Sequence, residues 1–257
     1  MSPLLSICIP TYNRLRYLED LLHGLLPQSE RVAGVEVCVS DNQSTDGTAD
    51  YLAGLSSSVL RHWTNERNIG GDRNFLKCIR EARGEYVWLV GDDDLVPEGA
   101  VEKVLSILQD RNVSLLVSDD EIGDVQFASY GEFLSKNCRR SGSAALRHTL
   151  ISANVFRRRC FDLEFAEKML YTQYAHMFGL VKGLSGPVMF TSGLVAVRPV
   201  RAEFAKYPSC LCVKQALYLC YLAKHFGLPR FRLYAMLNAC NLAAEYASRG
   251  WHWLRQR

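Results

Sequence analysis

The sequence predicts an α/β protein built on a mostly parallel sheet with helices on both faces. Short apolar runs alternate with segments of helical period through the first half of the chain. Polar clusters follow three of those runs directly, at the strand ends where ligands meet such sheets. At 257 residues, 48% hydrophobic and 22% charged, the chain can bury one sizeable domain, with or without a smaller appendage.

The elements follow in order. Leu4 to Ile9 is a strand stopped by Pro10. Leu15 to Leu26 has helical spacing, with Leu15, Leu18, Leu22 and Leu25 on one face. Val35 to Val39 is the second strand, and Ser44-Thr45-Asp46-Gly47 is turn chemistry opening a helix from about Thr48 to Leu55. Val59 to Trp63 is a shorter third strand. Asp72 can cap a helix running to about Arg83, ended by Gly84. Tyr86 to Gly91 is the fourth strand, Glu98 to Asp110 a helix, and Val113 to Val117 the fifth strand. Beyond it the pattern loosens. Gly123 to Ser143 reads as a loop-rich insertion, and Leu150 to Phe156 as a strand. Asp162–Tyr171 and about Tyr174–Lys182 read as helices, and Val188–Val197 as a strand. A helical region begins near Pro208 and breaks at Gly227-Leu228-Pro229.

Composition narrows the setting. Cys8 and Cys38 lie inside strand-like runs, where cysteine acts as a small hydrophobe, and Cys210 and Cys212 have no second pair at zinc spacing. Met1-Ser2-Pro3 leads straight into the first strand without a basic leader, so a reducing, cytoplasmic compartment is expected. The net charge of +3 divides unevenly: Arg198 to Arg257 carries +8 and the rest −5. A basic, aromatic segment suits an anionic surface, whereas no apolar run is long enough to span a bilayer. Trp251-His252-Trp253 can anchor at headgroup depth or cover the protein's own core.

Three consecutive aspartates, Asp92-Asp93-Asp94, follow the fourth strand. Their mutual repulsion can be relieved by a hard divalent cation, which brings phosphate oxygens with it; they can equally cap the helix beyond Pro97. Thr11-Tyr12-Asn13 and Asp41-Asn42 follow the first and second strands. Each can be plain turn chemistry or part of a ligand rim.

Four segments together carry a resemblance. Ser6 to Arg14, Val39 to Thr48, Asn68 to Asn74 and Ala82 to Asp94 resemble, in order and spacing, the motifs of family-2 glycosyltransferases. The form of the last two is most similar to the bacterial surface-polysaccharide branch, including abequosyltransferase-like enzymes. The likeness covers about residues 4–118. It implies a GT-A fold, a Rossmann-like mostly parallel sheet with a helical C-terminal region. Residues 1–118 would form the nucleotide-sugar-binding half, 119–207 the acceptor-side half of the same domain, and 208–257 a basic helical segment. It further implies an inverting transfer from a nucleotide-diphospho-sugar, assisted by a divalent cation, Mg2+ or Mn2+. Pro10, Thr11 and Tyr12 would border the nucleoside, Asp41 would accept from the base, and Asp92 would lie near the ribose. Asp93 would meet the metal and Arg73 the diphosphate. The acceptor would be a glycan, polyprenyl-diphosphate-linked, at an anionic membrane surface; no nucleic-acid partner is expected.

The family's usual acidic base is missing. The corresponding stretch is Tyr171 to Phe178, where His176 is the nearest substitute, with Asp162 and Glu164 upstream. An unperturbed pKa of ~6.5 suits a base near neutrality; a packing histidine on an amphipathic helix is the alternative. Arg157-Arg158-Arg159 can hold a phosphate or form a solvated turn. Two other functions compete. Sugar nucleotidyl transfer needs a Gly-rich loop where Pro10 to Asn13 stands, and a degenerate nucleotide-sugar-binding partner would bind donor without turnover.

Overall fold

The computed structural model describes residues 2–110, 112–137 and 148–196, together with 218, 219, 221, 222 and 224–227. The chain divides into two compact units, Met1–Tyr130 with His148–Arg198, and Gly131–Arg147 with Pro199–Arg257. The first unit holds β1 (Leu5–Thr11), α1 (Leu15–Glu30), β2 (Val35–Asp41), α2 (Thr48–Gly54) and β3 (Leu60–Thr64). There follow α3 (Gly71–Glu81), β4 (Tyr86–Leu89), α4 (Ala100–Asp110), β5 (Leu115–Ser118) and β6 (Val125–Phe127). After α5 (Tyr130–Asn137), most of which belongs to the second unit, come β7 (Asn154–Arg157), α6 (Leu163–Lys168), α7 (Ala175–Gly183) and β8 (Val188–Thr191).

Among the described residues the strands form one eight-stranded sheet in the order β3-β2-β1-β4-β7-β5-β8-β6. β1 to β4 pair in parallel. β7 runs antiparallel between β4 and β5, and β6 runs antiparallel to β8. The order reverses at β1, so the crevice beyond the ends of β1, β2 and β4 is where this topology places a ligand.

The two faces of the sheet differ because side chains alternate along a strand. Leu5, Ile7 and Ile9 of β1, with Val35, Val37 and Val39 of β2, join Leu18, Leu22 and Leu25 of α1 and Val101, Val104 and Leu108 of α4 in one apolar core. Intervening positions carry smaller or polar groups. Ser6 donates to Glu36 at 2.6 Å, and Arg61 donates to the other Glu36 oxygen at 2.8 Å. Cys8, Cys38, Cys78 and Cys160 are buried and free. A hydrogen bond with Cys38 and burial push the Cys8 thiol well up, and burial raises Cys78, so these two stay protonated. Gly84 approaches β1 so closely that a Cβ would lie 2.7 Å from both Ser6 N and Oγ.

Several boundaries differ from the sequence reading. β1 continues through Pro10 to Thr11, with Pro10 in register with Ser40. A strand residue without N–H is tolerated here because the β4 side of the ladder has already ended, Val90 N donating to Cys8 O at 2.9 Å. The expected loop after Gly123 contains β6 and α5, and residues 138–147 lie outside the described residues. Only the end of the expected strand Leu150–Phe156 is a strand; Ile151–Ala153 is a 3-10 turn. Gly70, not Asp72, occupies the N-cap of α3, and Asp72 accepts from Gln173 N at 3.2 Å. Of the expected helical region from Pro208, residues 218, 219, 221, 222, 224 and 225 are helical. The rest, including the Trp251 tail, lies outside the described residues.

Candidate active site

Three strand ends build the site. β1 delivers Thr11, whose hydroxyl donates to Asp92 Oδ2 at 2.7 Å. β2 delivers Asp41, fully buried. One oxygen, Oδ1, accepts from Ser44 N at 3.0 Å and so makes the turn read as an alternative above; the other, Oδ2, is buried and has no hydrogen-bond partner among the described residues. A buried carboxylate oxygen without a donor is costly, and it is met when a ligand supplies an N–H. Behind Asp41 lies an amide network. Asn42 Oδ1 accepts from Asn65 Nδ2 at 3.0 Å and Ile69 N at 2.9 Å, while Asn74 Oδ1 accepts from Ser40 Oγ at 2.7 Å and Asn65 Nδ2 at 3.0 Å. These bonds tie the β2 end to β3 and α3.

The loop after β4 presents the aspartates. Asp92 and Asp94 are buried and Asp93 is partly exposed. Burial pushes the Asp92 carboxyl up to about 6, against the lowering effects of the Thr11 hydroxyl and Arg14, with Asp93 adding to the rise. Ser152 of the 3-10 turn before β7 buttresses the loop: its hydroxyl donates to Asp94 and accepts from Gly91 N at 2.7 Å. Arg14 Nη1 donates to Asp93 Oδ2 at 2.8 Å and to Asp92 Oδ1 at 3.3 Å. A Cβ on Gly91 would meet Asp93 Oδ1 and Asp94 Oδ2, each at 3.1 Å. Among the described residues, no three His, Cys, Asp or Glu side chains are grouped to hold a metal ion by themselves. The oxygen donors fit a hard cation that takes one or two carboxylates and completes its shell with phosphate oxygens and water.

The loop before α7 meets the start of α3, where Asp72 contacts Gln173 and Arg73 contacts Tyr171. Tyr171 and Gln173 adopt φ of 67° and 62°, a left-handed backbone unusual for such residues. The Arg73 guanidinium donates to Tyr171 Oη at 2.7 Å and lies 5.1 Å from the ring centroid. Arg73 sits in the first turn of α3. Tyr12, beside Thr11, is half exposed. His176 follows in the first turn of α7, buried, its ring edge-on to Phe75 at 5.8 Å. Burial depresses its pKa to about 4, well below the ~6.5 expected from the sequence. The Thr149 backbone opposes this, but among the described residues neither ring nitrogen makes a full hydrogen bond.

The structure therefore gathers Thr11, Asp41, Asp92 and Asp93 at one set of parallel strand ends, and sets Arg73 on α3, against Tyr171, and His176 on α7, against Phe75 of α3. Sequence reasoning assigned no role to Arg14, Ser152 or Tyr171. Their partners lie 58 to 98 residues away, and no spacing rule signals such pairs. It also missed a buried cluster at the end of β5, where His148 Nε2 is 2.8 Å from Asp119 Oδ2 and Tyr130 Oη is 3.4 Å from His148 Nδ1.

The profile of glycosyl transferase family 2 matches residues 6–165, which include every strand end just described. The chain belongs to this family. As a family-2 glycosyltransferase it is 28% identical over 209 residues to abequosyltransferase RfbV of Salmonella typhimurium, an alignment covering 72% of this chain and 62% of that protein. The chain thus spans about three-fifths of that relative's length. Its fold is that of GT-A glycosyltransferases. It superposes on S. aureus TarS 1-349 in complex with UDP-GlcNAc with a TM-score of 0.59 and 16% identity, over 86% of this chain and 66% of that one. It superposes on the mannosyltransferase PcManGT of Pyrobaculum calidifontis in complex with GDP-Man and Mn2+ with a TM-score of 0.56 and 17% identity, over 96% and 76%. Among the described residues no helix is long and apolar enough to cross a membrane.

Proposed function

We propose that the protein transfers a sugar from a nucleotide-diphospho-sugar to a hydroxyl of a glycan acceptor, with inversion, in bacterial surface-polysaccharide synthesis. The observation that carries this reading is the buried Asp41 Oδ2, without a hydrogen-bond partner among the described residues, at the same strand ends as the Thr11–Asp92 pair and Asp93. One oxygen waits for a base N–H, while the neighbouring carboxylates offer oxygen ligands to a cation that would offset the diphosphate charge. Pro10, Thr11 and Tyr12 line the nucleoside side, Asp92 faces the ribose, and Arg73 reaches the diphosphate from the α3 N-terminus, where anions are favoured. A divalent cation held by Asp93 supplies charge neutralisation at the diphosphate, a benefit that grows as the leaving group departs. TarS in complex with UDP-GlcNAc and PcManGT in complex with GDP-Man support a donor of this class.

The reaction is one in-line displacement. The acceptor oxygen bonds to the anomeric carbon, the carbon–oxygen bond to phosphate breaks, and the nucleoside diphosphate leaves with the electron pair. The acceptor proton needs a base. Of the two histidines in the second half of the first unit, His148 is engaged by Asp119 and Tyr130, whereas neither nitrogen of His176 makes a hydrogen bond among the described residues. We assign the proton to His176. At neutral pH it is uncharged and able to accept, and a diphosphate nearby favours its charged form.

The +8 segment from Arg198 to Arg257 supports a polyprenyl-diphosphate-linked acceptor at the cytoplasmic face of an anionic membrane. Co-sedimentation with phosphatidylglycerol vesicles tests this part, and absence of binding at low salt removes it. The central test is a thermal-shift screen of UDP and GDP and their sugars with and without Mn2+, on wild type and Asp93→Ala. Metal-dependent stabilisation by one nucleotide, lost in the variant, is expected. Stabilisation that survives the substitution unchanged moves the metal elsewhere. No response to any nucleotide removes the donor reading, whereas nucleotide binding without turnover of any acceptor favours the degenerate-partner reading.

A further inference from the structure

The aspartate pair already holds a cation, supplied by the chain itself. Arg14 Nη1 bridges Asp93 Oδ2 at 2.8 Å and Asp92 Oδ1 at 3.3 Å. The bridge is sheltered, with side-chain exposures of 24% for Arg14, 8% for Asp92 and 19% for Asp93, so water screens it less than a surface pair. The backbone of Arg14 is fixed. It occupies the N-cap of α1, and its carbonyl accepts from Tyr17 N at 3.0 Å and Leu18 N at 3.1 Å. Asp46 Oδ2 accepts from the next residue, Leu15 N, at 2.9 Å. Asp92 is fixed as well, through Thr11 at 2.7 Å. What can move is the long Arg14 side chain and the more exposed carboxylate of Asp93.

We propose that Arg14 is the resident counter-cation of Asp92 and Asp93, that it competes with a divalent ion for Asp93, and that it passes to the diphosphate when donor binds. The inference rests on the metal- and nucleotide-binding reading given above and deepens it. The physics is simple. A divalent ion bound at Asp93 Oδ2 would stand within contact distance of a guanidinium, and two cations there repel strongly. A guanidinium suits phosphate oxygens as well as it suits carboxylates, so it has a place to go once the diphosphate arrives. Its departure then clears Asp93 for the ion. Metal and nucleotide must therefore bind with positive coupling, each raising the affinity for the other by the same factor. In the absence of nucleotide the site keeps its own cation and takes metal weakly.

The test is Mn2+ binding, read by electron paramagnetic resonance of the free ion, for wild type, Arg14→Gln, Arg14→Ala and Arg14→Lys, alone and with UDP or GDP. A neighbouring unit charge changes a carboxylate's proton affinity by about ten- to a thousandfold, so the neutral variants should bind Mn2+ without nucleotide at least about tenfold more tightly than wild type. Arg14→Lys, which keeps the charge, should stay near wild type. The factor by which nucleotide improves Mn2+ binding should be largest in wild type and shrink in Arg14→Gln and Arg14→Ala. Thermal unfolding of each variant shows whether it is folded, and either neutral variant suffices. Unchanged or weaker Mn2+ binding in a folded neutral variant overturns the proposal while leaving the glycosyltransferase reading intact. If wild type binds nucleotide but never Mn2+, the metal assignment and this inference fall together. If it binds neither, the donor reading itself fails.

Discussion

Replacing His176 by phenylalanine separates the electrostatics of this residue from its packing. The ring remains able to sit edge-on to Phe75, and only the titratable nitrogens are lost. Burial holds the folded imidazole at a pKa of about 4, against ~6.5 for an unfolded histidine. Between those values the unfolded chain carries a proton that the folded protein refuses. Stability from the neutral histidine is therefore present above pH ~6.5 and lost as pH falls toward 4. Moving from pH ~7.5 to ~5 should cost wild type about 2 kcal/mol through this group alone. Urea unfolding followed by tryptophan fluorescence, at both pH values and on both proteins, isolates the effect, because every other titrating group is shared. The wild type should lose about 2 kcal/mol more than His176→Phe over this interval. Parallel losses in the two proteins would refute a neutral, desolvated imidazole. The same variant tests catalysis. Loss of a general base lowers turnover by roughly 10²- to 10⁴-fold, with donor affinity retained; near wild-type turnover would move the base to another group.

Two further substitutions probe binding and fold. Asp41→Asn offers the buried ligand-facing position an amide in place of a carboxylate, and should weaken nucleoside diphosphate binding roughly tenfold or more, the worth of a charge-assisted hydrogen bond; calorimetry showing equal affinity would remove Asp41 from the base contact. Gly84→Ala forces a Cβ to 2.7 Å from the Ser6 backbone nitrogen and hydroxyl and should destabilise the protein by roughly 2–3 kcal/mol. A melting temperature equal to wild type would show that the α3–β4 turn relaxes freely.

The sequence by itself determined the parallel half of this protein. Short apolar runs and helical stripes are local signals, so β1 to β5 and their helices are legible within a few residues. Because strand ends follow from strand positions, Thr11, Asp41, Asp92 and Asp93 could be placed on one rim before any coordinates. The family motifs reinforced the same residues. Where the pattern is set by distant partners, local reading ran out. β7 enters antiparallel between β4 and β5, which no property of Asn154–Arg157 announces. Pro10 stays within a strand because its neighbour strand ends early, a fact about β4 rather than about proline. Gly123 to Asn137 reads as loop yet yields β6 and α5, since a three-residue edge strand takes its register from β8. The chemistry of single groups was likewise a tertiary decision. A histidine at pKa about 4, an aspartate raised to about 6 and an arginine bridging two carboxylates depend on what surrounds each charge. Sequence fixes which charges exist; only the packed chain sets how much water they keep and which neighbours they meet.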